Sequence, residues 1–300
     1  MRQTRLIGRV GRWGLAVAWL ALAIAAQAQQ GAYDWSDAPE LCPGVKHVRV
    51  TVTTPRPMNF NCLQVDTRTP GLTFYTTPRC ADWEANVRET VRQTTRQFLR
   101  EARAAGQPLV VAVNGDGWSP WIPITWNLPT VTSVGGLAVS EGVLVSPPAG
   151  TPSFMIHQDG RAEIAVTDAN TDLTTIQTAV SGFAIVLTRG EVTTQGQDLH
   201  PRTCTGVSED GRTVYLMTVD GRQEVSGGAS YPELGAWLKH FGAYTGANMD
   251  GGGSTTMVWW DAQREGEDKT VLLNIPVGGG KPGTERYNGN NLGIAYRATK

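Results

Sequence analysis

The chain has 300 residues, 26 basic and 27 acidic, for a formal net charge of −1. A near-neutral balance lacks the basic footprint that a general nucleic-acid partner requires. The length suffices for one large hydrophobic core or two small ones.

In chain order, Arg2, Arg5, Arg9 and Arg12 give a basic start, and Trp13 to Ala26 is apolar and uncharged. Ala26-Gln27-Ala28 then offers a small-x-small cleavage site, so residues 1–28 read as a secretory signal peptide. The apolar run is shorter than the roughly 20 residues of a membrane span; an uncleaved anchor is the alternative. Cleavage removes four arginines and leaves 22 basic against 27 acidic residues, a net −5. The mature protein is expected to be secreted or periplasmic and to have no membrane span. Any anionic ligand must then meet a local basic pocket. Residues 29–43 read as an N-terminal extension and 44–300 as one domain, since no linker, charge block or repeat divides them.

Four cysteines follow: Cys42, Cys62, Cys80 and Cys204. In an oxidising compartment the spacing predicts one bridge among the first three, with Cys204 buried as a small apolar residue. The exact pairing stays open.

Val48–Thr53 and Leu72–Thr77 carry strand signals, and a helix is predicted from Asp82 to Gly106, with Val87, Val91, Phe98, Leu99 and Ala102 on one face. Leu109–Val113 reads as a buried strand, and Val131–Val145 as a strand pair. Phe154–His157 with Ala162–Val166, Ala184–Leu187 with Val192–Thr194, and Val207 with Val214–Val219 read as hairpins. A second helix is predicted from Pro232 to Phe241, with Ser230 and Glu233 as a capping box. The pattern predicts a single α+β domain: a mixed, mainly antiparallel sheet packed with two or three helices.

Four strand ends bring polar residues together. Asn114-Gly115-Asp116-Gly117 is a sharp turn that aims Asp116 inward, or a plain turn. Trp118, Trp121 and Trp126 follow it, as sugar-stacking surfaces or as core material. His200-Pro201-Arg202-Thr203 offers a guanidinium fork for phosphate or carboxylate, and His200 as a ligand contact or a structural histidine. Asp220-Gly221-Arg222 closes a strong strand; its charges pair with each other or line a pocket. Asp250-Gly251-Gly252-Gly253-Ser254-Thr255 supplies backbone N–H groups suited to an anion nest. It lacks the lysine of a nucleotide P-loop.

In this order these segments resemble the phosphodiester glycosidase family over roughly Gly44 to Arg297. Asn114-Gly115-Asp116 resembles its NG(G/D) turn, and Thr178 to Gly182 its nAvsG segment. His200 to Thr203 resembles its hPRT element, and Val219 to Arg222 its vDGR. Asn248 to Met257 resembles its NLDGGGSTTM signature, while Arg286 and Asn290 resemble its terminal R…N-L. The extra Gly117 before Trp118 departs from the family pattern, so sugar specificity does not carry over. The resemblance implies hydrolysis of a sugar-1-phosphodiester on a phosphorylated glycan. Asp250 and Asp220 are the first carboxylate candidates and Asp116 the third. Asn114, His200, Arg202, Thr203, Arg222, Gly251, Gly252, Gly253, Ser254, Thr255, Trp118, Arg286 and Asn290 would contact substrate. No cofactor or dedicated metal is expected, although Asp and backbone oxygens suit a loosely bound calcium ion. A glycan-binding or exopolysaccharide-assembly role, and hydrolysis of a neutral glycoside, are the alternatives. Oligomeric state is not specified.

Overall fold

The computed structural model describes residues 31–120 and 125–298. The leader and Trp121 lie outside the described residues. Three antiparallel sheets share one core. A seven-stranded sheet runs in the order Glu40–Cys42, Val45–Val52, Met58–Asp66, Thr213–Val219, Arg202–Val207, Thr245–Asn248, Ala184–Leu187. A five-stranded sheet runs Thr270–Leu272, Met257–Trp260, Leu109–Asn114, Asn291–Tyr296, Leu72–Thr76. A second five-stranded sheet, formed by segments from Ala138 to Ser181, closes one side, and a small three-stranded sheet lies beside it.

Period-2 alternation explains the layers. In Met58–Asp66, Leu63 and Val65 face the shared core, with Val111, Ile294 and Phe154 from the other sheets. Met58, Phe60 and Cys62 face the opposite way, onto Leu234, Trp237, Leu238 and Phe241 of the helix Tyr231–Phe241. Each large apolar side chain so enclosed contributes about 1.5–3 kcal/mol. The other helix, Thr95–Ala104, buries Phe98, Leu99 and Ala102 on the outer face of the five-stranded sheet, against Leu109 and Val258. Trp35 belongs to the same packing as Phe241, so residues before 44 are part of the fold.

Two elements differ from expectation. The first helix starts at Thr95, capped by Thr94 with Gln97, and the stretch before it forms turns and the strand Thr90–Val91. Val87 and Val91 are exposed, so their spacing was not a buried stripe. Val192–Thr194 is loop, closed only by a Thr188–Glu191 bridge. The second helix has the expected capping box, in which Glu233 accepts the Ser230 N–H at 2.8 Å. With two helices among the described residues and every sheet antiparallel, the fold is more β-rich than the α+β reading.

The cysteines correct a further expectation. All four are free thiols. Cys42 packs against the core shared by the sheets, whereas Cys62 lies in the cluster that faces the helix Tyr231–Phe241, so the two point apart. Cys42 instead meets the Pro43 carbonyl, and Cys80 the Arg88 carbonyl. Cys204 is fully buried, as expected.

Candidate active site

The ends of Leu109–Asn114 and Thr245–Asn248 and the start of Arg202–Val207 meet at one rim of the core. Asn114 is the staple. Its Oδ1 accepts the Thr203 hydroxyl at 2.6 Å and the Thr256 N–H at 3.1 Å, while its Nδ2 donates to the Asp250 carbonyl at 2.8 Å. Three segments far apart in sequence are thus fixed by one amide. Asn114 and Thr203 are wholly buried and hold the site together rather than lining it.

At this rim lies a cavity of about 290 Å³. His200, Arg202, Arg222, Asp250, Gly251, Gly252, Gly253 and Arg286, all expected from the sequence, line it. Arg202 stacks over Tyr231 at 4.5 Å and donates to the Asp198 carbonyl at 3.0 Å. Arg222 reaches the cavity from a left-handed backbone (φ 58°) and donates to His200 Nδ1 at 3.2 Å. A guanidinium only donates, so that nitrogen carries no proton. Burial and the two arginines accordingly hold the His200 pKa below its usual value. Arg286 lies against Ser254 and Asp250; burial lowers its pKa and the Asp250 charge opposes that shift. Among the described residues no carboxylate forms an ion pair with Arg202 or Arg222.

The glycine turn is only partly an anion nest. Gly251 N–H donates to its neighbour Asp250 Oδ1, Gly252 N–H to the Pro201 carbonyl, Ser254 N–H to Gly251 and Thr255 N–H to Gly252. Only the Gly253 N–H is uncommitted among these. The glycines serve space instead: Gly252 has φ +63°, and a Cβ on Gly253 would sit 2.5 Å from Arg286 Nη2. Ser254 and Thr255 are fully buried beneath the turn.

Two carboxyls adjoin this floor. Asp250 is half-buried in the cavity; burial raises its pKa, while the Ser254 hydroxyl, Arg286 and the Gly251 N–H pull it back. Asp116 lies just behind, 2% exposed, with Oδ2 unpartnered. Burial first, then the Asp250 charge, pushes it up to about 8. Such a group protonates more readily folded than unfolded. It therefore stabilises below its ordinary value near 4, and that contribution is lost as pH rises to about 8. Asp116→Asn should thus gain stability over wild type across that window, by up to a few kcal/mol. Thermal melts at pH 5 and pH 8.5 check this; an equal difference at both pH values would contradict it.

Four residues expected at the site lie elsewhere. Asp220 does not reach the cavity. Its Oδ1 accepts the Ile275 N–H at 2.8 Å and Asn274 Nδ2 at 3.2 Å, and Asn274 also donates to the Thr255 carbonyl at 3.1 Å, so Asp220 braces the underside of the glycine turn. Trp118 packs under Arg92 at 4.3 Å, and Trp126 sits against Gly279. Asn290 is buried, its carbonyl accepting the Gly115 N–H at 2.9 Å. The aromatic walls of the cavity are Tyr231 and Phe183, which sequence reasoning missed. The signals were present: Tyr231 follows the cap Ser230, and Phe183 follows the AVSG segment.

A stack of antiparallel sheets that gathers three arginines against a carboxyl pair has the make-up of a cleft for a polar, anionic ligand. The chain belongs to the phosphodiester glycosidase family, whose model matches residues 100–295. No curated protein matches the sequence. Among solved structures, the fold is similar to the zebrafish N-acetylglucosamine-1-phosphodiester alpha-N-acetylglucosaminidase catalytic domain, described as auto-inhibited by its pro-peptide. That likeness has a TM-score of 0.59 at 21% identity and covers 89% of this chain and 87% of the other. It is also similar to a hypothetical protein from Synechocystis (0.54, 12% identity, 87% and 65% covered). A third is a putative exported protein from Burkholderia pseudomallei (0.52, 16% identity, 80% and 74% covered). Among the described residues, no helix is long and apolar enough to cross a membrane.

Proposed function

We propose that this protein is a secreted or periplasmic hydrolase that cleaves the glycosidic C–O bond of a sugar-1-phosphodiester on a glycan or surface polymer. One observation carries the reading: Arg202, Arg222 and Arg286 line the same cavity as Asp250. In this chemistry the leaving group is a phosphate monoester, already a weak base, so stabilising its charge matters more than protonating it. The arginines and the Gly253 N–H meet that charge. Asp250 faces the anomeric carbon and offsets the oxocarbenium-like centre. Two adjacent carboxyls do not readily ionise together, and the environments here separate them. Asp116, raised to about 8, keeps its proton at neutral pH and leaves the negative charge to Asp250.

Purified protein should release free sugar from a sugar-1-phosphodiester. Arg202→Ala should lower kcat/KM about 10²-fold, because a charge-assisted contact to the departing phosphate is lost. Undiminished turnover by that variant would remove Arg202 from the reaction. Absence of turnover across a panel of sugar-1-phosphodiesters, with binding retained, would favour a glycan-binding role.

A further inference from the structure

We infer that Phe183 is the stacking platform for the sugar ring, and so the residue that makes the cavity prefer a sugar phosphate to phosphate alone. The inference rests on the proposed reading of the arginine cavity as a phosphate site. Phe183 lines that cavity and is 57% exposed, the one aromatic ring among the exposed large apolar side chains of the described residues. Among the described residues no aromatic ring stacks on it. The other aromatic wall, Tyr231, is already covered by Arg202.

Its placement is fixed from both sides. The Phe183 N–H donates to the Asn248 carbonyl at 2.8 Å, two residues before Asp250. Gly182 allows this approach, since a Cβ there would stand 2.4 Å from the same carbonyl oxygen. At the other end the ring tip lies over Gly117, where a Cβ would be 2.6 Å from Phe183 Cζ. Gly117 directly follows Asp116. The ring therefore bridges the loop of Asp250 and the loop of Asp116, with an open face to solvent. A phosphate held by the arginines puts the attached sugar beside this face. Pyranose rings present C–H groups that pack on aromatic faces, the role the sequence suggested for the tryptophans.

Titration calorimetry with inorganic phosphate and with three hexose 1-phosphates, glucose 1-phosphate among them, separates the two ideas. Wild type should bind phosphate, and at least one hexose 1-phosphate roughly five- to tenfold more tightly. Phe183→Ala should abolish that preference while phosphate affinity stays unchanged, and Phe183→Tyr should restore it. Thermal melts of both variants should match wild type, as expected at an exposed position. A preference that survives in Phe183→Ala, or no preference in wild type, overturns the platform. Failure of wild type to bind phosphate or any sugar phosphate overturns the reading of the arginine cavity itself, and the platform with it.

Discussion

Asp250→Asn yields a folded protein that binds inorganic phosphate at least as tightly as wild type but turns over roughly 10³-fold more slowly. The first half follows from charge. Asp250 sits in a cavity with three arginines, and its negative charge competes with an incoming anion. An amide of the same shape removes that competition and still accepts the Gly251 N–H, now made at 2.8 Å. The second half follows from the transition state, where positive charge develops on a carbon that a neutral amide neither attacks nor stabilises. Sugar release under saturating substrate, alongside phosphate titration, checks both halves. Turnover within a few-fold of wild type would assign the carbon-facing role elsewhere. Loss of phosphate binding as well would mean the variant had disturbed the turn rather than the chemistry.

Asn114→Leu has the largest expected effect on stability. Leucine is close in volume but makes none of the three bonds, so the Thr203 hydroxyl, the Thr256 N–H and the Asp250 carbonyl lose their partner. Each buried polar group left unpaired costs about 1–3 kcal/mol. Thr203 retains rotational freedom to find another acceptor, which lowers the sum to about 3–5 kcal/mol, or on the order of 10 °C in melting temperature. Asp250 and Asp116 both hang from this staple, so activity should fall further than stability. Differential scanning calorimetry at one pH, paired with sugar release well below the melting point, separates the two losses. A melting temperature within 2–3 °C of wild type, a shift equivalent to only about 1 kcal/mol, would show that the junction does not depend on Asn114.

Much of the cavity was legible because its residues recur in short, ordered segments. Arg202 opens a strand, Arg222, Asp250 and the glycines lie in the turns that follow strands, and these strand ends converge at one rim. Asp220 and Arg222 show where this reading stops. Both follow the strand Thr213–Val219, yet Gly221 and the left-handed Arg222 reverse the chain between them. The arginine turns into the cavity while the aspartate turns beneath the floor. Sequence spacing carries no information about that reversal. The helix boundary failed for a related reason: Val87 and Val91 fit a helical period, but Thr94 and Gln97 cap a helix that begins after them. The disulfide failed because parity and compartment say nothing of which face a strand residue takes: Cys42 packs against the core shared by the sheets, Cys62 faces the helix on the other side, and Cys80 meets the Arg88 carbonyl.

The sheet order has a consequence for how little of the chain can be dispensed with. The segment that matches the family begins at residue 100. Val45–Val52, Met58–Asp66 and Leu72–Thr76 precede it, yet Met58–Asp66 pairs along all of Thr213–Val219, and Leu72–Thr76 pairs with Asn291–Tyr296. A fragment starting at residue 100 would present two bare hydrophobic edges, each a template for another chain. Its cavity residues would all be present in the polypeptide, but on a surface that recruits neighbours into aggregates. The strands between Val45 and Thr76 thus act as the protein's own solubilising partner, covalently supplied.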